Sequence, residues 1–138
     1  MKVGNETIIM CLMLSLISFN TNGLRNQSKF EKLLNKCKNN DMLCLQETNW
    51  TDQIMKDIKT KWKDIMYTNH GTDKSCGVAI LIRNNTVENL KETYKEKEGR
   101  VIIIEFKYKK IEYRIINIYA PNVEADRKAF LLDLGKWC

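Results

Sequence analysis

The stretch from residue 14 to residue 47 limits the fold more than any other part of this sequence. Residues 14–20 (LSLISFN) read as a buried strand, closed by the turn-forming pair Asn22-Gly23. Ser28 then opens an amphipathic stretch, with Glu31 three residues on in capping-box spacing. Phe30, Leu33, Leu34 and Cys37 follow at helical spacing and give it one apolar face. Residues 41–47 (DMLCLQE) are a second short apolar run. Strand, helix and strand within about 30 residues is the size of a βαβ unit, and that crossover makes the two strands parallel.

The rest of the chain extends this plan. Thr51 can cap a second helix that carries Ile54, Ile58 and Trp62 at i, i+4 and i+8. Consecutive strands then replace the alternation. Residues 78–82 (VAILI) end at Asn84-Asn85. Residues 101–108 alternate, with Ile102, Ile104, Phe106 and Tyr108 on one face. Residues 112–119 return after a short turn at Lys109-Lys110, which predicts a hairpin. A last helix is predicted over about residues 126–136, with Phe130, Leu134 and Trp137 at helical spacing. The expectation is a mixed α/β domain over residues 14–138, preceded by an apolar leader of unassigned role at residues 1–13. Trp62 and Trp137 read as core or interface aromatics, and Trp50 is left open.

Composition narrows the function classes. The formal charge of +6, from 23 Lys and Arg against 17 Asp and Glu, suits a polyanionic partner, although the run at residues 91–100 (KETYKEKEGR) reads as solvated surface. The five cysteines show no CxxC spacing, so neither a disulfide framework nor a zinc site is indicated. Buried, unpaired thiols in a reducing compartment are expected instead. Residues 7–19 (TIIMCLMLSLISF) are too short to span a bilayer but match the core of a signal peptide. Lys2 is offset by Glu6 and no small-x-small site follows, so an intracellular protein, nuclear or cytoplasmic, is expected. Secretion is the lesser alternative.

The chemistry is expected where polar residues end apolar strands. Asn20 closes the first strand and Glu47 the second, and parallel strands bring both to the carboxyl edge, where open α/β sheets place their ligands. Asn117 and Tyr119 lie two apart and share one face of the last strand, opposite Ile116 and Ile118. A carboxylate can hold Mg²⁺, and a phenol and amides can contact phosphate oxygens. Plainer roles exist for each: Asn20 as a turn residue, Glu47 as a helix cap, Tyr119 as an amphipathic core residue. His70, in a loop, reads as a surface residue.

Four stretches occur in a telling order: SFNTNGLR (18–25), LCLQET (43–48), GVAIL (77–81) and INIYAPN (116–122). Together they resemble the endonuclease/exonuclease/phosphatase superfamily. The nearest resemblance is to the apurinic-endonuclease-like endonuclease domain of non-LTR retrotransposons, with LQET and NIYAPN weighing most. The resemblance implies a four-layer α/β sandwich, two packed sheets with helices outside, of which this chain would be a truncated amino-terminal part. It implies Mg²⁺ (or Mn²⁺) as cofactor with Glu47 as the metal ligand, Asn20 supporting it and Tyr119 contacting the scissile phosphate. Asn122 would hold the DNA backbone, with Asn22 and Asn117 also on the substrate side. The implied reaction is phosphodiester hydrolysis leaving a 3′-hydroxyl. Such domains continue into Gly-Asp-x-Asn and, later, Ser-Asp-His motifs; neither occurs in these 138 residues.

Three functions follow as expectations. The first is the amino-terminal portion of a DNA endonuclease, inactive alone. Its partners would be DNA and the rest of the domain, or a downstream reverse transcriptase in a longer protein. The second is a non-catalytic remnant that binds nucleic acid or a partner. The third, a secreted nuclease, suffers because cleavage after residues 7–19 would fall within the strand that delivers Asn20.

Overall fold

The computed structural model describes residues 13–71 and 76–138, with the backbone of two short antiparallel strands, β1 (Lys2–Val3) and β2 (Glu6–Thr7). Of the leader expected at residues 1–13, only the backbone of β1 and β2 and Met13 are described. Residues 8–12 of the signal-like core, Cys11 among them, lie outside the described residues. Seven further strands follow: β3 (Leu16–Asn20), β4 (Met42–Gln46), β5 (Ile65–Asn69), β6 (Val78–Ile82), β7 (Glu88–Lys95), β8 (Val101–Tyr108) and β9 (Ile111–Ile118). Three helices accompany them: α1 (Gln27–Lys36), α2 (Asp52–Lys61) and α3 (Glu124–Leu134).

The expected βαβ unit is present, with β3 and β4 adjacent and parallel, Leu16 opposite Met42 and Asn20 opposite Gln46. Strand β6 joins β4 antiparallel and β5 joins β6, giving a four-stranded sheet of order β3-β4-β6-β5. The hairpin predicted at Lys109-Lys110 forms the second sheet, β7-β8-β9, and both turn residues take the positive φ of a tight hairpin turn, 48° and 66°.

Two apolar layers bind these elements. Between the helices α1 and α2 and the first sheet lie Phe30, Leu33, Leu43, Leu45, Trp50, Ile58, Trp62 and Leu81. Between the two sheets lie Met42, Cys44, Val78, Ile80, Ile82, Ile102, Ile104 and Phe106. Burial in that second layer pushes the Cys44 thiol up to about 12, so it stays protonated and acts as a small hydrophobe. Helix α3 lies on the outer side of the second sheet, where Trp137 packs on Tyr94 at 5.6 Å and on Phe130 at 5.9 Å. Helices, sheet, sheet and helix make a mixed α/β arrangement consistent with part of an α/β sandwich.

Several local expectations are corrected. The cap of α1 is Asn26, not Ser28: its side chain accepts from the Lys29 amide at 3.1 Å. Glu31 forms no capping box, because its carboxylate pairs with Lys61 at 2.6 Å. Two strands were not foreseen. Strand β5 (IMYTN) is short and only half-buried, and β7 is an exposed, charged edge whose sequence carries little apolar alternation. Helix α3 begins at Glu124 and buries none of its residues. Cys37, Cys44 and Cys76 are buried as expected, but Cys138 is exposed. Trp50 resolves as a core residue, 2% exposed, its indole donating to the Leu24 carbonyl at 2.8 Å. Among the described residues no helix is long and apolar enough to cross a membrane.

Candidate active site

The parallel pairing of β3 and β4 leaves Asn20 and Glu47 side by side at the carboxyl edge of the first sheet. Glu47, the first residue after β4, has φ of +54°, a left-handed conformation uncommon for a non-glycine residue. Its surroundings hold it there. The buried Thr21 hydroxyl donates to the carbonyls of Gln46 and Glu47 at 3.0 and 2.9 Å, and the Gly23 amide donates to the Glu47 carbonyl at 2.8 Å. Backbone strain maintained by neighbours in this way is a mark of functional positions.

The side chains then link in series. Asn20 Nδ2 donates to Glu47 Oε1 at 3.1 Å, and Asn20 Oδ1 accepts from the Asn22 amide at 2.9 Å, which orients the amide group. On the other side, the Tyr119 hydroxyl faces the Glu47 carboxylate, close enough for the carboxylate to raise the phenol's proton affinity, and Asn122 Nδ2 donates to the Tyr119 hydroxyl at 3.3 Å. Burial, then the Glu47 contact, raises the phenol above its ordinary value, so at neutral pH Tyr119 is a protonated donor. Asn20, Glu47, Tyr119 and Asn122 therefore form one polar row across the ends of three strands.

Asn22 and Asn117 stand differently. Asn22 joins the row through its backbone amide, while its side chain is exposed. Asn117 is 3% exposed and lies beneath the row. Its Nδ2 donates to the carbonyls of Leu45 and Ala79 at 3.1 and 2.9 Å, and its Oδ1 accepts from Gln46 Nε2 at 2.7 Å. These bonds fasten β9 of the second sheet to β4 and β6 of the first. With every polar atom engaged, Asn117 sets the height of Tyr119 over Glu47.

Three residues important to this geometry were not singled out in the sequence. Gln46 carries the bond between sheets; in the sequence it enters only as part of LQET, and its own signal is a polar residue in the otherwise apolar MLCLQ. Lys29 directs its ammonium at the carbonyls of Thr21 and Gly23, both at 2.6 Å, and so secures the loop between Asn20 and α1. Among the lysines of α1 nothing distinguishes it. Arg100 lies over the Tyr119 ring, 5.3 Å from guanidinium carbon to ring centroid. His70, expected at the surface, is half-buried: its Nε2 lies 3.8 Å from Asp52, and burial lowers its affinity for a proton. It takes no part in the row.

The donor set bears on a metal. Among the described residues no three His, Cys, Asp or Glu side chains gather into a cage. A single carboxylate at an open edge, flanked by an amide, suits a hard divalent cation that keeps most of its waters and takes further ligands from a phosphate. It does not suit zinc or calcium, which need more protein ligands.

Comparisons with known proteins bear on the family and the fold. The family described as "Endonuclease/Exonuclease/phosphatase family" matches residues 17–137. A curated relative, the "Transposon TX1 uncharacterized 149 kDa protein" of Xenopus laevis, is 27% identical over 128 residues, covering 91% of this chain and 10% of that protein. Among solved structures, the AP endonuclease LMAP from Leishmania major superposes with a TM-score of 0.65 at 16% identity, over 84% of this chain and 43% of that one. The endonuclease domain of TRAS1, a telomere-specific non-LTR retrotransposon, superposes with a TM-score of 0.62 at 8% identity, over 88% and 52%. The chain thus spans about half the length of the solved relatives and a tenth of the curated one.

Proposed function

This chain belongs to the endonuclease/exonuclease/phosphatase family, and we propose that it supplies the amino-terminal part of a divalent-metal-dependent DNA endonuclease of retrotransposon type. The observation that carries this reading is the row Asn20–Glu47–Tyr119–Asn122 at the carboxyl edge of the sheet. Glu47 would hold Mg²⁺ or Mn²⁺, with Asn20 orienting its carboxylate. When bound, such an ion polarises a phosphoryl oxygen and neutralises charge that develops on it. Tyr119, kept protonated, donates to a phosphate oxygen, and Asn122 orients the phenol and reaches the DNA backbone. Asn117 acts from below as a positioning residue rather than as a substrate contact. The rest of such a domain, and a reverse transcriptase further along a longer protein, are the partners this reading implies.

Hydrolysis also needs a group to activate the attacking water and a second contact, besides Tyr119, to the charge building on phosphate. The row provides neither, and the Asp and His motifs that supply them in relatives do not occur in these residues. The 138-residue chain alone is therefore expected to nick supercoiled plasmid in Mg²⁺ no faster than background. Robust nicking abolished by Glu47→Ala would overturn the expected inactivity while upholding the role of Glu47. Robust nicking that survives Glu47→Ala would overturn both.

Binding without catalysis is a second reading, favoured by the net charge of +6. It requires affinity for DNA that falls steeply with salt, at a slope of about −0.9 per phosphate neutralised, and that is indifferent to Glu47→Gln.

A further inference from the structure

We propose that Arg100 is a positioning residue for Tyr119, holding the phenol between Glu47 and Asn122 by clasping its ring and its backbone together. This rests on the reading of Glu47 and Tyr119 as the phosphodiesterase site.

Arg100 immediately precedes β8, and Tyr119 immediately follows β9, so the ladder of the hairpin brings them together. The Tyr119 amide donates to the Arg100 carbonyl at 2.8 Å, one step beyond the last strand pair, Val101 with Ile118. Arg100 Nη1 donates back to the Tyr119 carbonyl at 3.3 Å while the guanidinium lies over the ring. A planar cation over an aromatic face is attracted by the ring quadrupole, an interaction that strengthens with desolvation. Tyr119 is thus held at three points, its amide, its carbonyl and its ring, all by one residue. Without the guanidinium, Tyr119 keeps its amide bond to the Arg100 carbonyl but loses the cation over its ring and the bond to its carbonyl.

Arg100 is itself fixed. Its amide donates to the Glu96 carboxylate. The loop before it is pinned to the end of β5, where Asn69 Nδ2 donates to the carbonyls of Glu96 and Val101 at 2.6 and 3.0 Å. The buried Cys76 thiol donates to the Glu98 carbonyl at 3.0 Å, and the Gly77 amide to the Gly99 carbonyl at 3.1 Å. A residue needed only to start a strand requires none of this support. A side chain that must hold a ring in one place requires it, because play in Arg100 would become play in the phenol. Lysine cannot replace it, since an ammonium offers neither a plane for the ring nor a fixed fork for the carbonyl.

The test is NMR of the whole chain labelled with ¹³Cε-tyrosine, in which Tyr119→Phe identifies one of the five tyrosine signals. Arg100→Gln is expected to shift and broaden the Tyr119 signal while the other four tyrosines stay within their linewidths, and Arg100→Lys is expected not to restore it. An unmoved Tyr119 signal in Arg100→Gln would overturn the proposal, as would full recovery with Arg100→Lys. If Arg100→Gln does not fold, the comparison of Arg100→Lys with the unaltered chain decides alone: a wild-type signal overturns the clasp. Added Mn²⁺ separates this from the site reading. Paramagnetic broadening of Tyr119 that Glu47→Gln removes supports the metal at Glu47. Its absence would refute that metal and leave the clasp standing or falling on the Arg100 variants.

Discussion

Asn117→Ala is expected to lower the unfolding free energy by about 3–5 kcal/mol, given roughly 1–3 kcal/mol for each buried polar group left unpaired and a further cavity term. Three bonds disappear together: two from Nδ2 to the carbonyls of Leu45 and Ala79, and one from Gln46 to Oδ1. The two bonds from Nδ2 are buried, so water can replace them only by entering between the sheets, while the bond from half-buried Gln46 lies nearer the edge. A domain of this size has about 5–15 kcal/mol in all, so the variant would lose from about a fifth of its stability to all of it. Urea unfolding followed by circular dichroism measures the loss. A loss under about 1 kcal/mol, the level of an ordinary surface change, would show that Asn117 does not bridge the sheets.

Gly99→Ala is expected to cost about 3 kcal/mol, for two separate reasons. Gly99 has φ of +74°, where a side chain is strained, and a Cβ there would stand 2.5 Å from both the carbonyl carbon and the oxygen of His70. Those are backbone atoms, so relief requires one loop to move away from the other. The opposing glycine, Gly71, is equally confined, with a Cβ only 2.2 Å from the Glu98 carbonyl carbon. The loop that moves carries Arg100, so the variant should also disturb the ring of Tyr119. Thermal unfolding measures the first effect: for about 140 residues, 3 kcal/mol corresponds to a fall in Tm of roughly 10 °C. A Tm within 2 °C of the unaltered chain would mean that the crossing of these loops is loose.

The fold was legible where periodicity was strong. The βαβ unit, the second capped helix, β6 and the β8–β9 hairpin all stand close to their expected bounds, because their apolar periodicity is clear and their turns carry Asn, Gly or Lys pairs. Strand β3, expected to be buried, is instead an edge strand exposed at four of its five residues. Strands β5 and β7 were not legible, for an edge strand stabilised by a neighbour need not alternate. Of the run at 91–100 expected to be solvated surface, residues 91–95 are exposed and are also strand, since charge does not exclude a strand at an edge. Gly99, however, is buried, and Arg100 is half-buried against Tyr119. The cap of α1 was misplaced because Asn26 and Ser28 are both good caps, and only the path of the chain decides between them.

For the site, strand ends and topology brought Asn20 and Glu47 together and singled out Tyr119 from sequence, and the resemblance added Asn122. What sequence lacked was depth. Asn117 shares the face of Tyr119, as expected, yet lies buried between sheets whose separation no local pattern encodes. Arg100 and Lys29 were invisible for a related reason: each acts across a long reach on backbone atoms, and a carbonyl has no letter in the sequence.

The claim at the centre is a divalent cation held by Glu47 for use against a phosphodiester. The most direct measurement is the affinity of the 138-residue chain for a short DNA duplex, with and without Mg²⁺ at matched ionic strength, beside Glu47→Gln. Mg²⁺ is expected to tighten binding by the unaltered chain about tenfold, equivalent to about 1.4 kcal/mol, and to leave Glu47→Gln unimproved. If Mg²⁺ weakens both chains equally, as a competing counterion would, or tightens both equally, Glu47 holds no metal that meets the DNA.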